Sequence, residues 1–228
     1  TVKPTGTIKN SSGTAITGSY TNQAFSYSAT DSGSGISYLQ YKKPGSSSWL
    51  TYTSGTSISA SATSGTYQFR AVDKAGNISA TKSITLDSSK PTMTLYSETT
   101  SVSSGYKSTA KYIKATATDS GSGMKTIYVK KPGASNYTEY TSGTQLTADG
   151  AYSFYCVDNA GNTSQTYTIS MDHTKPTLTS SVGGFGKTLK DGFTVTASDN
   201  FSGVTLYYKT PNGTSFVAST TSSVVFSK

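Results

Sequence analysis

The sequence predicts an all-β protein built from tandem antiparallel β-sandwich modules, and three observations lead to this prediction. Tyr is frequent, at 17 of 228 residues, and Thr is abundant; both residue types favour strands. Glu and Leu, which favour helices, are scarce. Several motifs also recur 85 residues apart, a period close to the length of a self-contained sandwich of about 100 residues.

A Gly-rich loop marks each repeat. The segment Asp31-Ser-Gly-Ser-Gly-Ile36 returns as Asp119-Ser-Gly-Ser-Gly-Met124, and in altered form as Asp199-Asn-Phe-Ser-Gly-Val204. A strand-like run follows each loop and ends in a turn with Pro-Gly or Asn-Gly, in segments 39–45, 127–133 and 207–213. Such a turn between two strand-like runs is typical of a β-hairpin.

Two further motifs place the module boundaries. The loop Asp73-Lys-Ala-Gly-Asn77 recurs as Asp158-Asn-Ala-Gly-Asn162, and the Lys-Pro pair that ends at Pro91 recurs at Pro176. The predicted modules are therefore residues 1–88, 89–173 and 174–228, the last incomplete at its C-terminal end. We expect the parent protein to continue past residue 228; the alternative is that another segment completes the sheet.

Within the first module, short strands alternate with turns. The predicted strands are residues 25–29, 36–43, 49–52 and 67–72. Successive side chains in a strand point to opposite faces, so Tyr67, Phe69 and Ala71 should share one face. In the second copy Cys156 takes the place of Ala71, which predicts a small buried residue rather than a reactive thiol.

The charge pattern argues against nucleic acid as a partner. The net charge is +8, but the lysines are scattered and Arg70 is the only arginine, whereas nucleic-acid binding proteins cluster their basic residues and use Arg to read bases. A diffuse positive field could favour anionic cell-wall polymers or acidic glycans, but solubility is the simpler explanation and the one we prefer. The sequence contains no run of about 18 apolar residues, so it predicts no membrane-spanning helix. The chain begins with Thr1 and shows no signal peptide, so we expect it to be an internal piece of a longer chain with neighbouring modules.

Together these motifs resemble the bacterial immunoglobulin-like repeats, including those called OmpL47-type, of large surface and secreted proteins. The resemblance rests on the Asp-x-x-Ser-Gly loop, the strand ending in Tyr-Lys, and the aromatic strand before Asp-x-Ala-Gly-Asn. It covers both complete modules and the front half of the third. It implies tandem immunoglobulin-like antiparallel β-sandwiches, an extracellular location, and a spacer, adhesion or accessory role, but it does not name a ligand. Cell-wall polymers, glycans and host matrix are the candidate partners.

No catalytic constellation is visible in the sequence. His173 is the only histidine, and it occupies the linker position that Ser88 holds in the previous copy, so we expect an exposed linker residue. With one His and one Cys the chain cannot build a zinc site from these ligands. Glu98 and Glu139 are the only glutamates and do not form a recognisable catalytic pair. We therefore predict that the chain is not an enzyme.

The acidic residues suggest calcium instead. Seven of the 11 lie at equivalent loop positions of the repeats. In an immunoglobulin-like topology these loops share one end of the sandwich with the incoming linker. Asp87 should then approach Asp119 and Asp158, and Asp172 should approach Asp199. Carboxylates grouped in this way bind Ca²⁺. The alternative is that each Asp only caps its own turn, with Lys90 neutralising the cluster.

Aromatic residues near the hairpins are the other candidate site. Trp49 and Tyr52 in module one, with Tyr137 and Tyr140 in module two, would form a platform that stacks on sugar rings; core packing is the alternative. Two functions follow. The first is a stalk or spacer and adhesion scaffold, and the second is a set of glycan-binding accessory modules of a secreted carbohydrate-active enzyme.

Overall fold

The computed structural model describes residues 2–182, 192–201, 203–210 and 213–227, and these form twenty β-strands. The chain is all-β, with antiparallel sheets arranged as tandem immunoglobulin-like sandwiches, as the sequence predicted. No helix in the described residues is long and apolar enough to cross a membrane.

The first module consists of two sheets. Its strands are β1 (Thr5–Asn10), β2 (Tyr20–Thr21), β3 (Phe25–Thr30), β4 (Ile36–Lys42), β5 (Leu50–Tyr52), β6 (Gly65–Asp73) and β7 (Lys82–Leu86). Strands β1 and β3 pair antiparallel, and the second sheet has the order β2-β7-β6-β4-β5. All neighbours in that sheet are antiparallel except β2 and β7, which run parallel.

The second module repeats this arrangement. Its strands are β8 (Thr92–Ser97), β9 (Thr100–Val102), β10 (Tyr106–Ser108), β11 (Ile113–Thr118), β12 (Met124–Lys130), β13 (Thr138–Glu139), β14 (Gly150–Asp158) and β15 (Tyr167–Met171). One sheet has the order β11-β8-β9, and the other has the order β10-β15-β14-β12-β13. The second sheet thus matches the five-stranded sheet of module one strand for strand.

Alternate residues of β6 and β14 contribute to the two cores. Tyr67, Phe69 and Ala71 are buried, as predicted from the period of two, and so is Cys156. Phe69 stacks on Tyr27 with ring centroids 5.0 Å apart. Burial raises the pKa of the Cys156 thiol, which disfavours the reactive thiolate and agrees with its predicted role as a packing residue.

The last part of the chain forms fewer strands. They are β16 (Thr177–Ser180), β17 (Phe193–Ser198), β18 (Tyr207–Tyr208), β19 (Val217–Ala218) and β20 (Ser223–Phe226). Strand β17 lies between β16 and β20, and β18 pairs with β19. Large apolar side chains such as Phe216 and Val225 are about 70% exposed. In the first two modules the strands β6 and β14 supply core side chains, and the described part of this segment contains no counterpart of those strands.

Candidate functional site at the first module junction

Three carboxylates meet where the first module passes into the second. Asp87 directly follows β7, Asp119 directly follows β11, and Asp158 ends β14. One carboxylate oxygen of each lies within 4.8 Å of the others. Asp87 and Asp158 are 1% and 0% exposed, and Asp119 is half-buried.

The Gly-rich loop holds Asp119 through one oxygen only. Its Oδ2 accepts hydrogen bonds from the backbone N–H groups of Gly121 at 3.0 Å and Gly123 at 2.9 Å. Gly123 has φ +77°, a conformation that favours glycine, so the loop needs this residue to bring its N–H toward the carboxylate. The other oxygen, Oδ1, is buried and accepts no hydrogen bond.

Asp158 is held by the loop that follows it. Its Oδ1 accepts the backbone N–H groups of Gly161 at 2.7 Å and Asn162 at 2.8 Å, and its Oδ2 accepts the Asn162 side-chain amide at 2.7 Å. The same amide nitrogen donates to the backbone carbonyl of Asp87 at 2.9 Å. Asn162 therefore joins the linker to the last loop of module two.

Asp87 is inserted into the second module. Its Oδ2 accepts the Ser122 backbone N–H at 2.7 Å, and its Oδ1 accepts that of Ser89 at 2.9 Å. Burial alone would raise the pKa of Asp87, but the hydrogen bonds from Ser122 and Ser89 outweigh it, and the pKa is lowered. The absence of a side chain at Gly121 leaves room for this carboxylate, because a Cβ there would lie closer than 3.0 Å to it.

The second junction is arranged differently. Asp172 accepts the backbone N–H of Thr174 at 3.2 Å, and Asp199 accepts that of Phe201 at 2.9 Å. In the part of the chain that the structure describes, Asp87, Asp119 and Asp158 are the only three acidic groups gathered closely enough to share an ion. The described residues bring no third carboxylate to Asp172 and Asp199.

His173 is exposed and lies in the linker, as expected, but it has partners that the sequence analysis missed. Its Nδ1 is 2.9 Å from Asp149 Oδ1, and its Nε2 is 3.1 Å from the Ala110 carbonyl oxygen. In module one the equivalent positions are Ser88 and Ser64, whose hydroxyl oxygens are 3.2 Å apart. In the sequence this contact is visible only as a paired difference between the copies: Ser64 and Ser88 of module one correspond to Asp149 and His173 of module two.

The predicted aromatic platform is wrong for two of its four residues. Tyr52 and Tyr140 are 5% and 7% exposed and pack in the two cores. Burial raises the pKa of Tyr140 to about 12. Within each hairpin, Tyr52 and Tyr140 face inward, so they cannot share a surface with the residues that point outward from the same strands.

Trp49 and Tyr137 lie in half-buried surface clusters with cationic side chains. The Arg70 guanidinium lies 4.1 Å from the Trp49 ring centroid, and the Lys42 ammonium lies 5.0 Å from it. In module two, Lys130 lies 5.5 Å from the Tyr137 ring centroid. Lys130 lies 88 residues after Lys42, and Tyr137 lies 88 residues after Trp49. The aromatic–cation contact is therefore repeated in the two modules.

No family model matches the chain, and no curated protein matches it. Among solved structures the chain is similar to the fibronectin(III)-like modules of Clostridium thermocellum CbhA. The similarity covers 72% of this chain and 92% of that chain, with 18% sequence identity and a TM-score of 0.39. Similarity at this level says nothing about function.

Proposed function

We propose that the chain is a non-enzymatic extracellular repeat region, of the bacterial immunoglobulin-like group that includes the OmpL47-type repeats. It acts as a stalk or spacer and adhesion scaffold of a surface or secreted protein. The observation that carries this proposal is the tie between modules at Asp87. Asp87 belongs to the linker, but Ser122 binds its carboxylate and Asn162 binds its carbonyl, which restricts bending at the junction.

The surroundings of Cys156 and His173, the only cysteine and the only histidine, support a non-catalytic role. Cys156 is fully buried in the core of module two. The ring nitrogens of His173 are engaged by Asp149 and a backbone carbonyl. A nucleophile needs an accessible reacting atom, which Cys156 does not offer, and both ring nitrogens of His173 already have hydrogen-bond partners.

Small-angle X-ray scattering of the full chain tests the spacer proposal. A compact protein of 228 residues has a radius of gyration of about 17 Å. Strands of nine residues such as β14 span about 30 Å, so three modules in line form a rod of about 90 Å with a radius of gyration of about 26 Å. A value near the compact limit contradicts the proposal.

Asn162→Ala tests the contact between Asp87 and the second module, because it removes the side-chain amide that bridges Asp87 and Asp158. We expect its scattering to show a more flexible particle than the wild type. Asn77→Ala is the control: Asn77 is the equivalent residue of module one, and its amide donates to the Val2 carbonyl, away from the junction. Equal effects of the two variants would remove the support that the Asp87 tie gives to the proposal.

The repeated aromatic–cation contacts favour a second candidate function, glycan-binding accessory modules of a secreted carbohydrate-active enzyme. Trp49 is the only tryptophan, so its fluorescence reports directly on this surface. Because Arg70 and Lys42 flank the ring, an anionic polysaccharide such as polygalacturonate should quench or shift the emission more than neutral xylan does. No change with either polymer would eliminate this candidate for module one.

A further inference from the structure

In the described part of the chain, no basic side chain forms a salt bridge with the carboxylates of the first junction. Asp87 and Asp158 are almost fully removed from water, and one oxygen of each lies within 4.8 Å of an Asp119 oxygen. Among the described residues, no Lys, Arg or His nitrogen lies within 4.0 Å of these three carboxylates. Lys90, which neutralises the cluster in the alternative to calcium binding, therefore forms no salt bridge with it. Repulsion between poorly hydrated like charges is unfavourable unless a counter-charge is present.

A buried oxygen without a partner is a second and independent observation. The loop amides bind Asp119 through Oδ2, which leaves Oδ1 buried and without a donor. A buried carboxylate oxygen that has lost water and gained no hydrogen bond carries a large desolvation cost. A bound cation would satisfy this oxygen and balance the charge at the same place.

Module one provides an internal comparison. Asp31 holds the same turn, with Oδ2 accepting two backbone N–H groups and Oδ1 buried without a partner. Asp73 is the equivalent of Asp158, but Val2 takes the place of Asp87, since its carbonyl accepts the Asn77 amide. Module one therefore offers two carboxylates where module two offers three.

We propose that Asp87, Asp119 and Asp158 bind a calcium ion at the junction of the first and second modules. All three ligands are hard oxygen donors, which suit Ca²⁺ or Mg²⁺ rather than the N and S ligands that zinc prefers. Ca²⁺ accepts six to eight oxygens in flexible geometry, whereas Mg²⁺ requires a near-ideal octahedron. Three carboxylates fixed by their own loops fit the less demanding ion, with water completing its coordination.

Asp119→Asn is the most selective variant, because both loop hydrogen bonds to Asp119 end on one oxygen. An Asn side chain can keep its oxygen at that position and place its NH₂ group where the unpartnered Oδ1 lies. The variant then removes one negative charge and the unpartnered carboxylate oxygen from the cluster. Without calcium this variant should melt at a higher temperature than the wild type, and it should lose the response to calcium.

The test is calorimetric titration of the full chain, freed of metal by chelator, with CaCl₂, together with melting curves with and without the ion. The wild type should bind one ion and melt about 5 °C higher or more in saturating calcium. Asp119→Asn should weaken binding at least tenfold. Asp31→Asn, the equivalent change in module one, should leave calcium binding unchanged. Asp87→Asn removes a different ligand and gives a second reading if Asp119→Asn does not fold.

No binding by the wild type up to about 10 mM CaCl₂, beyond the range of weak extracellular calcium modules, overturns the proposal. Wild-type affinity in both Asp119→Asn and Asp87→Asn overturns it as well. Neither result affects the spacer proposal, because the hydrogen bonds of Asp87 to Ser122 and Asn162 need no ion. Scattering that remains rod-like in chelator would separate the two conclusions.

Discussion

Gly121→Ala should detach the linker from the second module. A Cβ at Gly121 would lie closer than 3.0 Å to the carboxylate of Asp87, so this carboxylate has to move. The movement breaks the hydrogen bond from the Ser122 N–H, which is 2.7 Å long and buried. Gly121 does not have a positive φ, so the effect is steric and not a matter of backbone strain. Loss of a buried hydrogen bond to a charged group costs about 1.5–3 kcal/mol.

Amide hydrogen exchange is the assay, because it reads the Ser122 N–H directly. A loss of about 1.5–3 kcal/mol of local stability corresponds to exchange faster by roughly ten- to a hundredfold at this amide. Gly33→Ala is the control: at this equivalent position of module one a Cβ meets its neighbours at 3.4 Å or more, which is ordinary contact. Unchanged exchange at Ser122 in Gly121→Ala, or equal destabilisation by Gly33→Ala, would refute the reasoning.

Three further predictions concern the modules themselves. Phe154→Ala should lower the free energy of unfolding by about 3–5 kcal/mol in chemical denaturation, since Phe154 is fully buried; Phe216→Ala, at a site 70% exposed, should change it by less than about 0.5 kcal/mol. The Asn77 side-chain amide donates a hydrogen bond to Asp73 and lowers the pKa of that carboxyl group. The ionised Asp73 therefore stabilises the folded state at pH values above its ordinary pKa of 3.8. This contribution to the free energy of unfolding is lost as the pH falls through the lowered pKa. Melting temperatures from pH 5 to pH 2, followed by tryptophan fluorescence, should therefore fall less steeply in Asp73→Asn than in the wild type. Gly150→Ala should destabilise module two by more than about 2 kcal/mol in urea, because φ is +128° and a Cβ would lie 2.7 Å from a proline ring; a smaller effect than that of Gly121→Ala contradicts this.

Much of the fold was predictable because the repeat presents the same pattern more than once. The period of two placed Tyr67, Phe69 and Ala71 on one face, and comparison of the copies extended this to Cys156. These are local properties, since the direction of a side chain in a strand depends on its own position in that strand.

The short hairpin strands were less predictable. Strand β5 has only three residues and β13 only two, too few for a periodic pattern to show which side chains face the core. A shift of one residue exchanges the two faces. For this reason Tyr52 and Tyr140 were grouped with Trp49 and Tyr137, although the structure places the two pairs differently.

The sequence by itself determined the all-β class, the repeated loops and the residues that form turns, because these depend on composition and on neighbours along the chain. The expectation that Asp87 meets Asp119 and Asp158 depended on an assumed immunoglobulin-like topology, and the tertiary structure decided that these loops meet. Asp87 and Asp158 are 71 positions apart, and their meeting depends on how the linker after β7 enters the second module and where β14 ends. The unpartnered oxygen of Asp119 and the contact between Asp149 and His173 also become visible only when the sheets are assembled. Turn formation is a local property of the chain, whereas the charge balance at a junction depends on every element that packs there.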